Sequence, residues 1–542
     1  MPDGQHAQSR QGRSEVPDRS DVVIVGAGFA GMYLIHLLRA QGRDVVALEA
    51  GSSVGGTWYW NRYPGARCDI ESVQYSLSFD KELEQDWDWS ERYAPQPEIL
   101  AYAEEVADRH DIWRDVCFDT FVTDAVWDED AREWELSTRQ GAKIRAPYCV
   151  FATGCLSVPN STRFPGEETF EGPIYRTGLW PHEEVRFDGM RVGVIGTGSS
   201  AIQSIPIIAE QAQEMWVFQR TPNYSVPAYN QEMDPDYAAA IKADYAGLRA
   251  RQQVAFAAAD FDMHPDRVTS DHTPEQRRAE YERRWQTGGL GFLAGYADAM
   301  FDPGANEDAA EFVRDKIRDI VDDPETAELL CPSNTIGCKR LCVDTNYYAT
   351  YNKPNVHLVD VSKNPVERID QNSIHTGGKS YEVDAIVFAI GFDAMTGALL
   401  RVDITGRDGR SLRDEWKDGP RTYMGLTMAG FPNLFTVTGP GSPSVFTNML
   451  PSIEHHCKWI TDCIAAMQSD VIEATEEAQA DWTAHNLEVA GAHLRSSCSS
   501  WYTGENIAGK PKSFMPYIGG FPRYREFADS VAQNGYEGFE RR

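Results

Sequence analysis

Two glycine-rich turns, each set between a short apolar run and a helical pattern, constrain the fold of this chain more than any other feature. The first, GAGFAG at 26–31, follows the β-branched run at 21–25 and precedes a second strand-like run at 44–49. The second, GTGSSA at 196–201, follows the strand-like run at 191–195 in the same way. A strand, a glycine turn, a helix and a parallel strand make up a βαβ unit. The sequence therefore predicts an α/β fold with two Rossmann-like dinucleotide-binding domains.

The first turn has the spacing Gly26-x-Gly28-x-x-Gly31. The first glycine allows the tight turn, the second lets the backbone approach a pyrophosphate, and the third lets the helix pack closely on the strand. Glu49 follows Gly26 by 23 residues, where a carboxylate can accept hydrogen bonds from ribose hydroxyls and repel a 2′-phosphate. The alternative is an ordinary structural turn. With its strand, helix and acid in place, this site suits the adenosine end of FAD or NAD.

The second turn reads Gly196-x-Gly198-x-x-Ala201, in which alanine is a permitted third member. The position at which the first copy has its acid is occupied by Gln219, and Arg220 follows. Repulsion of a 2′-phosphate is thereby replaced by the opportunity for a two-point salt bridge. The alternative is a solvated surface arginine. The sequence predicts that the second site prefers NADPH.

Two dinucleotide sites, one of them selective for the phosphorylated cofactor, imply that NADPH reduces a bound flavin. The ten cysteines include neither the CxxC nor the CxxxxC spacing of disulfide reductases. Cys331, Cys338 and Cys342 also lack zinc-ligand spacing, so we expect free thiols and no metal site. The electrons must then pass to molecular oxygen or to another external acceptor.

The charge balance and the ends of the chain limit the partners. A formal charge of −31 argues against nucleic-acid binding, which depends on clustered Lys and Arg. Residues 1–20 are polar, lack the apolar segment of a signal peptide and are predicted to form a disordered tail. Nothing in the sequence is long and apolar enough to span a membrane. We expect a cytoplasmic protein, a monomer or small homo-oligomer, that binds small molecules.

The order of the strand-like runs predicts how the domains are arranged. The runs at 148–151 and 385–388 each end in a turn of small residues, where the chain can pass to the other domain. The predicted FAD-binding domain consists of 21–155 and 385–542. An NADPH-binding domain at 156–384 is inserted in it, and this domain in turn contains a helical insertion at 229–332. We expect the active site where these domains meet.

The segment FEGPIYRTGLWP at 170–181 lies between the two fingerprints. It resembles the signature of Baeyer–Villiger monooxygenases, FxGxxxHxxxW followed by Pro or Asp, whereas related N- and S-oxidising flavin monooxygenases usually end this motif in Tyr or Phe. The resemblance extends over about 21–539 and is closest to the phenylacetone and cyclic-ketone monooxygenases. Further matching segments follow in order: GGTWYWNRYPGARCD at 55–69, VFQRTPN at 217–223, GCKRL at 337–341, GPGSPS at 439–444 and SWYTGENIAGKP at 500–511.

The signature departs from the family at one position, because Arg176 stands where the family has His. A histidine exchanges a proton near neutral pH, whereas an arginine stays charged. If the motif residue only donates a hydrogen bond, Arg176 can replace it, and we favour this interpretation because Trp180 is intact. The alternative is that Arg176 marks a subgroup with its own substrate.

The resemblance implies an FAD- and NADPH-dependent monooxygenase that inserts one oxygen atom next to a ketone carbonyl, through a flavin peroxide, to give an ester or lactone. An N- or S-oxygenating flavin monooxygenase is the alternative enzyme, and a non-catalytic nucleotide sensor is the alternative outside enzymes. Trp180-Pro181 and Arg340 favour the ketone reaction. This chemistry needs a permanent cation beside the anionic adduct and a dry, closed site.

The matched segments also imply roles for individual residues. Arg340 corresponds to the catalytic arginine of the family, and Asp69 to the carboxylate that holds it. Besides the glycine turn and Glu49, the FAD site is predicted to contain Thr57, Trp58, Trp60, Asp69, Tyr75, Val122 and Met449. The NADPH site is predicted to contain Arg67, Gly196, Thr197, Gly198, Ser199, Ser200, Arg220, Thr221, Lys339, Arg340 and Trp501. The predicted walls of the substrate pocket are Val445 and Phe446.

Overall fold

The structure is a computed structural model that describes residues 10–468 and 470–542. Its first sheet has five parallel strands, and their spatial order is Leu434–Thr436, Tyr148–Phe151, Val22–Val25, Val45–Leu48 and Val116–Cys117. The strands are rich in Val, Ile and Leu because both faces of a parallel sheet are covered. Alternate residues pack against helices on one face and against a second, smaller sheet on the other.

The second sheet repeats this arrangement. Its five parallel strands lie in the order Val356–Asp360, Glu214–Gln219, Arg191–Ile195, Ala385–Phe388 and Ile174–Arg176. One face packs against the helix Ser199–Gln211 and the helices that follow it, and the other face packs against a three-stranded sheet. Two parallel sheets, each with a glycine turn after a central strand, confirm the predicted fold class.

The remaining strands form small sheets. The four-stranded sheet consists of Asp403–Thr405, Val122–Asp128, Glu133–Thr138 and Lys143–Ala146, and the three-stranded sheet of Arg368–Ile369, Ser373–Thr376 and Lys379–Glu382. Two-stranded pairs join Ser225–Pro227 to Cys342–Asp344 and Ile472–Ala474 to Phe539–Arg541. The first of these pairs leads directly out of the residues that include Arg340, so it helps to place that side chain.

The helices fall into two groups. Those outside the predicted insertion are Phe29–Ala40, Thr57–Trp60, Lys81–Asp86, Gln96–Arg109, Ser199–Gln211, Tyr347–Thr350, Gly397–Leu400, Leu412–Glu415, Met449–Met467, Glu476–Gly491 and Phe521–Gln533. Those within it are Pro235–Ala243, Tyr245–Val254, Pro274–Thr287, Pro303–Ile320 and Pro324–Leu330. Four of the latter have an Asp or Thr N-cap followed by Pro in the first turn. The N-cap side chain accepts a hydrogen bond from a free backbone N–H, and proline has no N–H that would lack a partner.

The predicted domain boundary at residue 385 is wrong by one strand. Ala385–Phe388 hydrogen-bonds to Arg191–Ile195 and therefore lies in the second sheet, not in the first. A buried apolar run has the same pattern in either sheet, so the pattern could not decide to which one it belongs. The other predicted divisions stay predictions.

The predicted disordered tail, residues 1–20, is only partly within the described residues, because 1–9 lie outside them. Over the remainder the prediction is wrong. Arg10 forms an ion pair with Asp108 at 2.7 Å, and the backbone N–H of Arg13 donates to a strand carbonyl. The polar composition of this segment was misleading because its arginines have acidic partners on the folded surface.

The prediction that all cysteines are free thiols is also wrong. Cys338 and Cys498 form a disulfide across a sequence separation of 160 residues. Spacing along the chain does not report such a long-range approach, which depends on the fold. The bond holds residues 495–501 beside residues 337–341, and it therefore links the segment that contains Trp501 to the segment that carries Arg340.

Two further observations concern the described ranges only. Among the residues that the structure describes, His, Cys, Asp and Glu side chains form no group of three or more that could hold a metal ion. Within 10–468 and 470–542, no helix combines the length and the apolarity needed to cross a membrane.

Candidate active site

A cavity of about 1120 Å³ is lined by residues at the carboxyl ends of strands from both parallel sheets. Ligands of open α/β sheets bind at this edge. Of the predicted site residues, Gly31 and Phe446 do not line the cavity. Those that do are Gly26, Gly28, Glu49, Thr57, Trp58, Trp60, Arg67, Asp69, Tyr75, Val122, Gly196, Thr197, Gly198, Ser199, Ser200, Arg220, Thr221, Lys339, Arg340, Val445, Met449 and Trp501.

The first fingerprint fits the pyrophosphate and ribose of FAD. A Cβ atom on Gly31 would lie 2.0 Å from the carbonyl oxygen of Gly26, so only glycine allows this helix to approach its strand. The helix Phe29–Ala40 begins at Gly28, which has no side chain to cap it, and its first N–H groups are available to an anion. Glu49 is buried at the cavity wall, where backbone N–H groups donate to both of its oxygens at 2.7 Å.

The aromatic residues predicted around the flavin lie along the same side of the cavity. Trp58 donates from Nε1 to the hydroxyl of Tyr75 at 3.2 Å, and the two rings pack edge to face. This pairing fixes both rings, whereas their contact with a flavin stays a prediction. Thr57 begins the short helix that carries Trp58 and Trp60.

The second fingerprint has the same geometry. Gly196 has a φ of +116°, and a Cβ atom there would lie 2.3 Å from the carbonyl oxygen of Ala389. The helix Ser199–Gln211 begins at Gly198 and again starts without a side-chain cap. The hydroxyl of Thr197 donates to the carbonyl oxygen of Thr221 at 2.8 Å and so connects the turn to the segment after the next strand.

Two cations, Arg220 and Lys339, line this cavity. Burial and the positive charge of Arg220 lower the pKa of Lys339. Two mutually repelling cations that line one cavity make a suitable site for a dianionic 2′-phosphate. Arg67, also predicted to contact NADPH, differs from them because it is already paired with Glu91 at 2.6 Å.

We expect Lys339→Met to raise the KM for NADPH by about tenfold to a hundredfold, because the variant loses one charge-assisted contact to the 2′-phosphate. The kcat/KM for NADH, which has no 2′-phosphate, should fall far less. Steady-state rates with both cofactors measure the change, and Lys363→Met, at an exposed position, is the matched control. Equal losses with NADPH and NADH would contradict the assignment.

Arg340 and Asp69 meet in a two-point ion pair at the cavity wall. Arg340 Nε and Nη2 donate to the two carboxylate oxygens of Asp69 at 2.8 Å each, and Nη1 donates to the carbonyl oxygen of Val445 at 2.8 Å. Burial lowers the pKa of Arg340, but the charge of Asp69 outweighs it and the pKa lies above its usual value. The guanidinium is therefore a permanent, oriented cation.

Three aromatic side chains pack together beside the cavity, and Trp501 is the one among them that lines it. Tyr502 is buried, with its ring centre 4.2 Å from that of Trp501 and 4.4 Å from that of Phe446. Phe446, predicted as a wall residue, packs on Tyr502, and neither side chain lines the cavity, whereas Val445 does. Tyr502 is not among the predicted site residues, although it directly follows Trp501 in a matched segment.

Comparison with known proteins is consistent with this geometry. The profile of a family described as pyridine nucleotide-disulphide oxidoreductase matches residues 23–281. An acetone monooxygenase (methyl acetate-forming) of Gordonia sp. (strain TY-5) is 42% identical over 526 residues, or 96% of this chain and 98% of its own. A Baeyer–Villiger monooxygenase of Pseudooceanicola batsensis is 40% identical over 523 residues, or 95% of each chain. The chain belongs to the Baeyer–Villiger monooxygenases.

A solved structure, an oxidised steroid monooxygenase bound to NADP, superposes on this Baeyer–Villiger monooxygenase with a TM-score of 0.92 at 50% identity, and covers 96% of this chain and 99% of that one. The predicted reaction class and the two cofactors, FAD and NADPH, are confirmed. A phenazine N-monooxygenase of Lysobacter antibioticus is also 41% identical over 526 residues, which cover 96% of both chains.

The signature segment of this Baeyer–Villiger monooxygenase shows what Arg176 contacts. Arg176 Nη2 lies 3.0 Å from a carboxylate oxygen of Glu167, and Nη1 donates to the carbonyl oxygen of Thr162 at 3.3 Å. The guanidinium also lies over the ring of Phe388, 4.5 Å from its centre. Phe388 ends the strand that leads back to the first sheet, so Arg176 ties together the two connections between the sheets.

We expect Arg176→His to make stability depend on pH. A histidine that gains Glu167 as a partner has its pKa raised on folding, so its stabilising contribution is present below the unfolded pKa of about 6.5 and is lost as the pH rises through the folded value. Arginine stays charged throughout. Thermal unfolding of both proteins between mildly acidic and mildly alkaline pH measures this, and parallel profiles would contradict it.

Proposed function

We propose that this enzyme converts a ketone into an ester or lactone at the end of the cavity where Arg340 and Asp69 meet. The observation that supports the proposal most directly is their two-point ion pair, in a cavity that both dinucleotide fingerprints line. Bound FAD, reduced by NADPH, supplies the activated oxygen. Side chains of this protein supply the fixed positive charge and the exclusion of water that the reaction needs.

Arg340 stabilises the negative charge that develops when oxygen adds to a carbonyl carbon. The former carbonyl oxygen then carries the charge, and a fixed donor near it lowers the barrier without reorganisation. An arginine suits this role because it does not lose its proton at any working pH. All three of its guanidinium nitrogens already have acceptors, so the cation is oriented before substrate binds.

Asp69 positions Arg340 and compensates part of its charge. A half-buried guanidinium without a carboxylate would cost free energy and would adopt several orientations. The two parallel hydrogen bonds restrict it to one plane. In this proposal Asp69 acts through Arg340 and not on the substrate.

The loop that carries Trp501 and Tyr502 limits access of water. The disulfide from Cys498 to Cys338 holds this loop next to Arg340. Low water content strengthens the interaction between the guanidinium and the developing charge, and it suppresses loss of the reactive oxygen as hydrogen peroxide.

The alternative activity is oxygenation of an amine or a thioether, and one relative is named a phenazine N-monooxygenase. On that route the nitrogen or sulfur atom attacks the oxygen, and no carbonyl oxygen gains charge. A fixed cation is then unnecessary. The orientation of Arg340 therefore favours the ketone reaction.

A substrate panel tests the proposal. The relatives are named for substrates from acetone to steroids, so linear, aryl, cyclic and polycyclic ketones are assayed together with an aryl thioether and a phenazine. We expect ester or lactone in near-stoichiometric ratio to the NADPH oxidised for at least one ketone. N-oxide or sulfoxide as the sole product across the panel would overturn it.

A further inference from the structure

The disulfide between Cys338 and Cys498 joins two segments of the cavity wall. The residues that directly follow its two cysteines line the cavity: Lys339 and Arg340 on one side, and Ser499, Ser500 and Trp501 on the other. Arg340 is the cation to which the proposed function assigns the stabilisation of charge. A change in this bond therefore acts directly on the walls of the active site.

Few polar contacts besides the disulfide hold these two segments together. In the part of the chain that the structure describes, two hydrogen bonds join residues 495–498 to residues 334–338. They run from Arg495 Nη1 to the carbonyl oxygen of Gly337 and from the hydroxyl of Ser497 to that of Thr335, both at 3.2 Å. The second is exposed, and water competes for the same groups there. The disulfide is therefore the principal attachment between the two segments.

Residues 498–510 form a strap along the cavity, and the far end of this strap is attached by polar contacts. Lys510 Nζ donates to a carboxylate oxygen of Asp393 at 2.6 Å, and Asn506 Nδ2 donates to the carbonyl oxygen of Phe392 at 2.7 Å. Both Phe392 and Asn506 line the cavity. Cleavage of the disulfide therefore releases one end of the strap and leaves the other end in place.

The two sulfur atoms of the disulfide differ in access and in surroundings. Cys498 is partly exposed, whereas Cys338 is buried. A thiolate from outside therefore attacks the sulfur of Cys498, and the sulfur of Cys338 is the leaving group. Asn334 Nδ2 donates to that sulfur at 3.2 Å. A donor at this place stabilises the thiolate that leaves, so these surroundings favour opening of the bond by thiol exchange.

We propose that the Cys338–Cys498 disulfide is a redox switch that a dithiol opens, and that opening it lowers the yield of ester per NADPH. The inference rests on the proposed function, because it concerns the regulation of the same site. In the exchange, the S–S bond of the enzyme breaks and one forms within the dithiol, which gives two electrons and two protons to the cysteines. The loosened strap admits water to the cavity, and more of the reactive oxygen is lost as hydrogen peroxide.

Hydrogen peroxide from the same enzyme closes the switch again. When oxygen is not inserted into a ketone, NADPH and one proton reduce O₂ to hydrogen peroxide. The peroxide oxidises one cysteine to a sulfenic acid and releases water. The thiol of the other cysteine then displaces a second water molecule, and the S–S bond forms. An open strap therefore produces the oxidant that restores the closed state.

The first experiment uses the FAD-loaded enzyme without ketone. Enzyme kept in air is treated with excess dithiothreitol and freed of it under nitrogen, and its thiols are counted after denaturation. We expect eight thiols before reduction and ten after it, because eight cysteines are free and two form the disulfide. Ten thiols before reduction, or eight after it, would overturn the proposal.

Both forms of the enzyme are then supplied with NADPH and O₂, and the release of hydrogen peroxide is followed. We expect reduction to raise its rate by about tenfold, less than the roughly hundredfold effect of a 1 Å misplacement, because one end of the strap stays attached. An unchanged rate in enzyme that has ten thiols would contradict the role given to the strap.

The second experiment adds a ketone and measures the ratio of hydrogen peroxide to ester in air-oxidised, reduced and reoxidised enzyme. One equivalent of hydrogen peroxide serves for the reoxidation. We expect the ratio to rise by about tenfold on reduction and to return on reoxidation. Cys498→Ser should show the high ratio in all three samples, since it cannot form the bond. A low ratio in this variant, or a ratio that still responds to the dithiol, would overturn the proposal.

Cys331→Ser is the matched control, because Cys331 is a partly exposed free thiol. Its response to the dithiol should equal that of the unmodified enzyme, and loss of the response there would overturn the assignment to Cys338 and Cys498. The two experiments also separate this inference from the proposed function. If no ketone yields an ester but the dithiol still raises peroxide release, the proposed function fails and the switch stands. If ester forms at a yield that ignores the thiol state, the switch fails alone.

Discussion

We expect Arg340→Met to reduce ester formation by about a thousandfold, while NADPH is still oxidised and hydrogen peroxide becomes the main oxygen product. The reason is that the guanidinium lies at the cavity wall, where its hydrogen bonds to Asp69 and Val445 fix its orientation. Loss of one fixed donor to a developing oxyanion costs about a hundredfold to a thousandfold. Because Arg340→Met removes a full positive charge from a partly desolvated site, we expect a loss at the upper end of that range. Ester, hydrogen peroxide and NADPH are measured in the same reaction.

Three comparisons make this result specific. Arg340→Lys keeps the charge but not the two-point geometry, so it should retain more ester formation than Arg340→Met. Arg132→Met removes an exposed arginine and should leave the ester yield unchanged. FAD absorbance and thermal unfolding show whether each variant keeps its cofactor and its fold. A folded, FAD-loaded Arg340→Met enzyme with full ester yield would contradict the role given to this residue.

The strands that carry the fingerprints were predictable because their signals are local. The run at 191–195 coincides with the strand Arg191–Ile195, and the run at 21–25 contains the strand Val22–Val25. A buried β-branched run followed by a glycine turn needs no information from distant parts of the chain. Residues on a matched motif, such as Lys339, were likewise found at the cavity.

The disulfide was missed because it depends on distant partners. Cys338 and Cys498 are 160 positions apart in the sequence. Asp69 and Arg340 are 271 positions apart, and only the family resemblance linked them before the structure did. Contacts of this kind cannot be inferred from residue spacing along the chain, because they depend on how whole sheets pack together.

The second large effect is expected at Asp69. Asp69→Asn keeps the size of the side chain but offers one acceptor oxygen instead of two, and its NH₂ group faces the donors of Arg340. The guanidinium then keeps the carbonyl oxygen of Val445 and at most one amide oxygen as partners, and it loses the two-point contact that fixes its plane. We expect kcat for ester formation to fall by about a hundredfold, as when catalytic groups lose their preorganised geometry. Ester yield per NADPH should fall as well.

A double variant distinguishes positioning of Arg340 from a mere contribution to stability. Removing one member of the pair leaves the other charge uncompensated, whereas removing both is close to neutral for stability. Asp69→Asn combined with Arg340→Met should therefore unfold at a higher temperature than Arg340→Met alone, yet form as little ester. If Asp69 acts only through Arg340, adding Asp69→Asn to Arg340→Met should cost no further activity. A second, full hundredfold loss in the double variant would instead mean that Asp69 acts on the substrate or the cofactor directly.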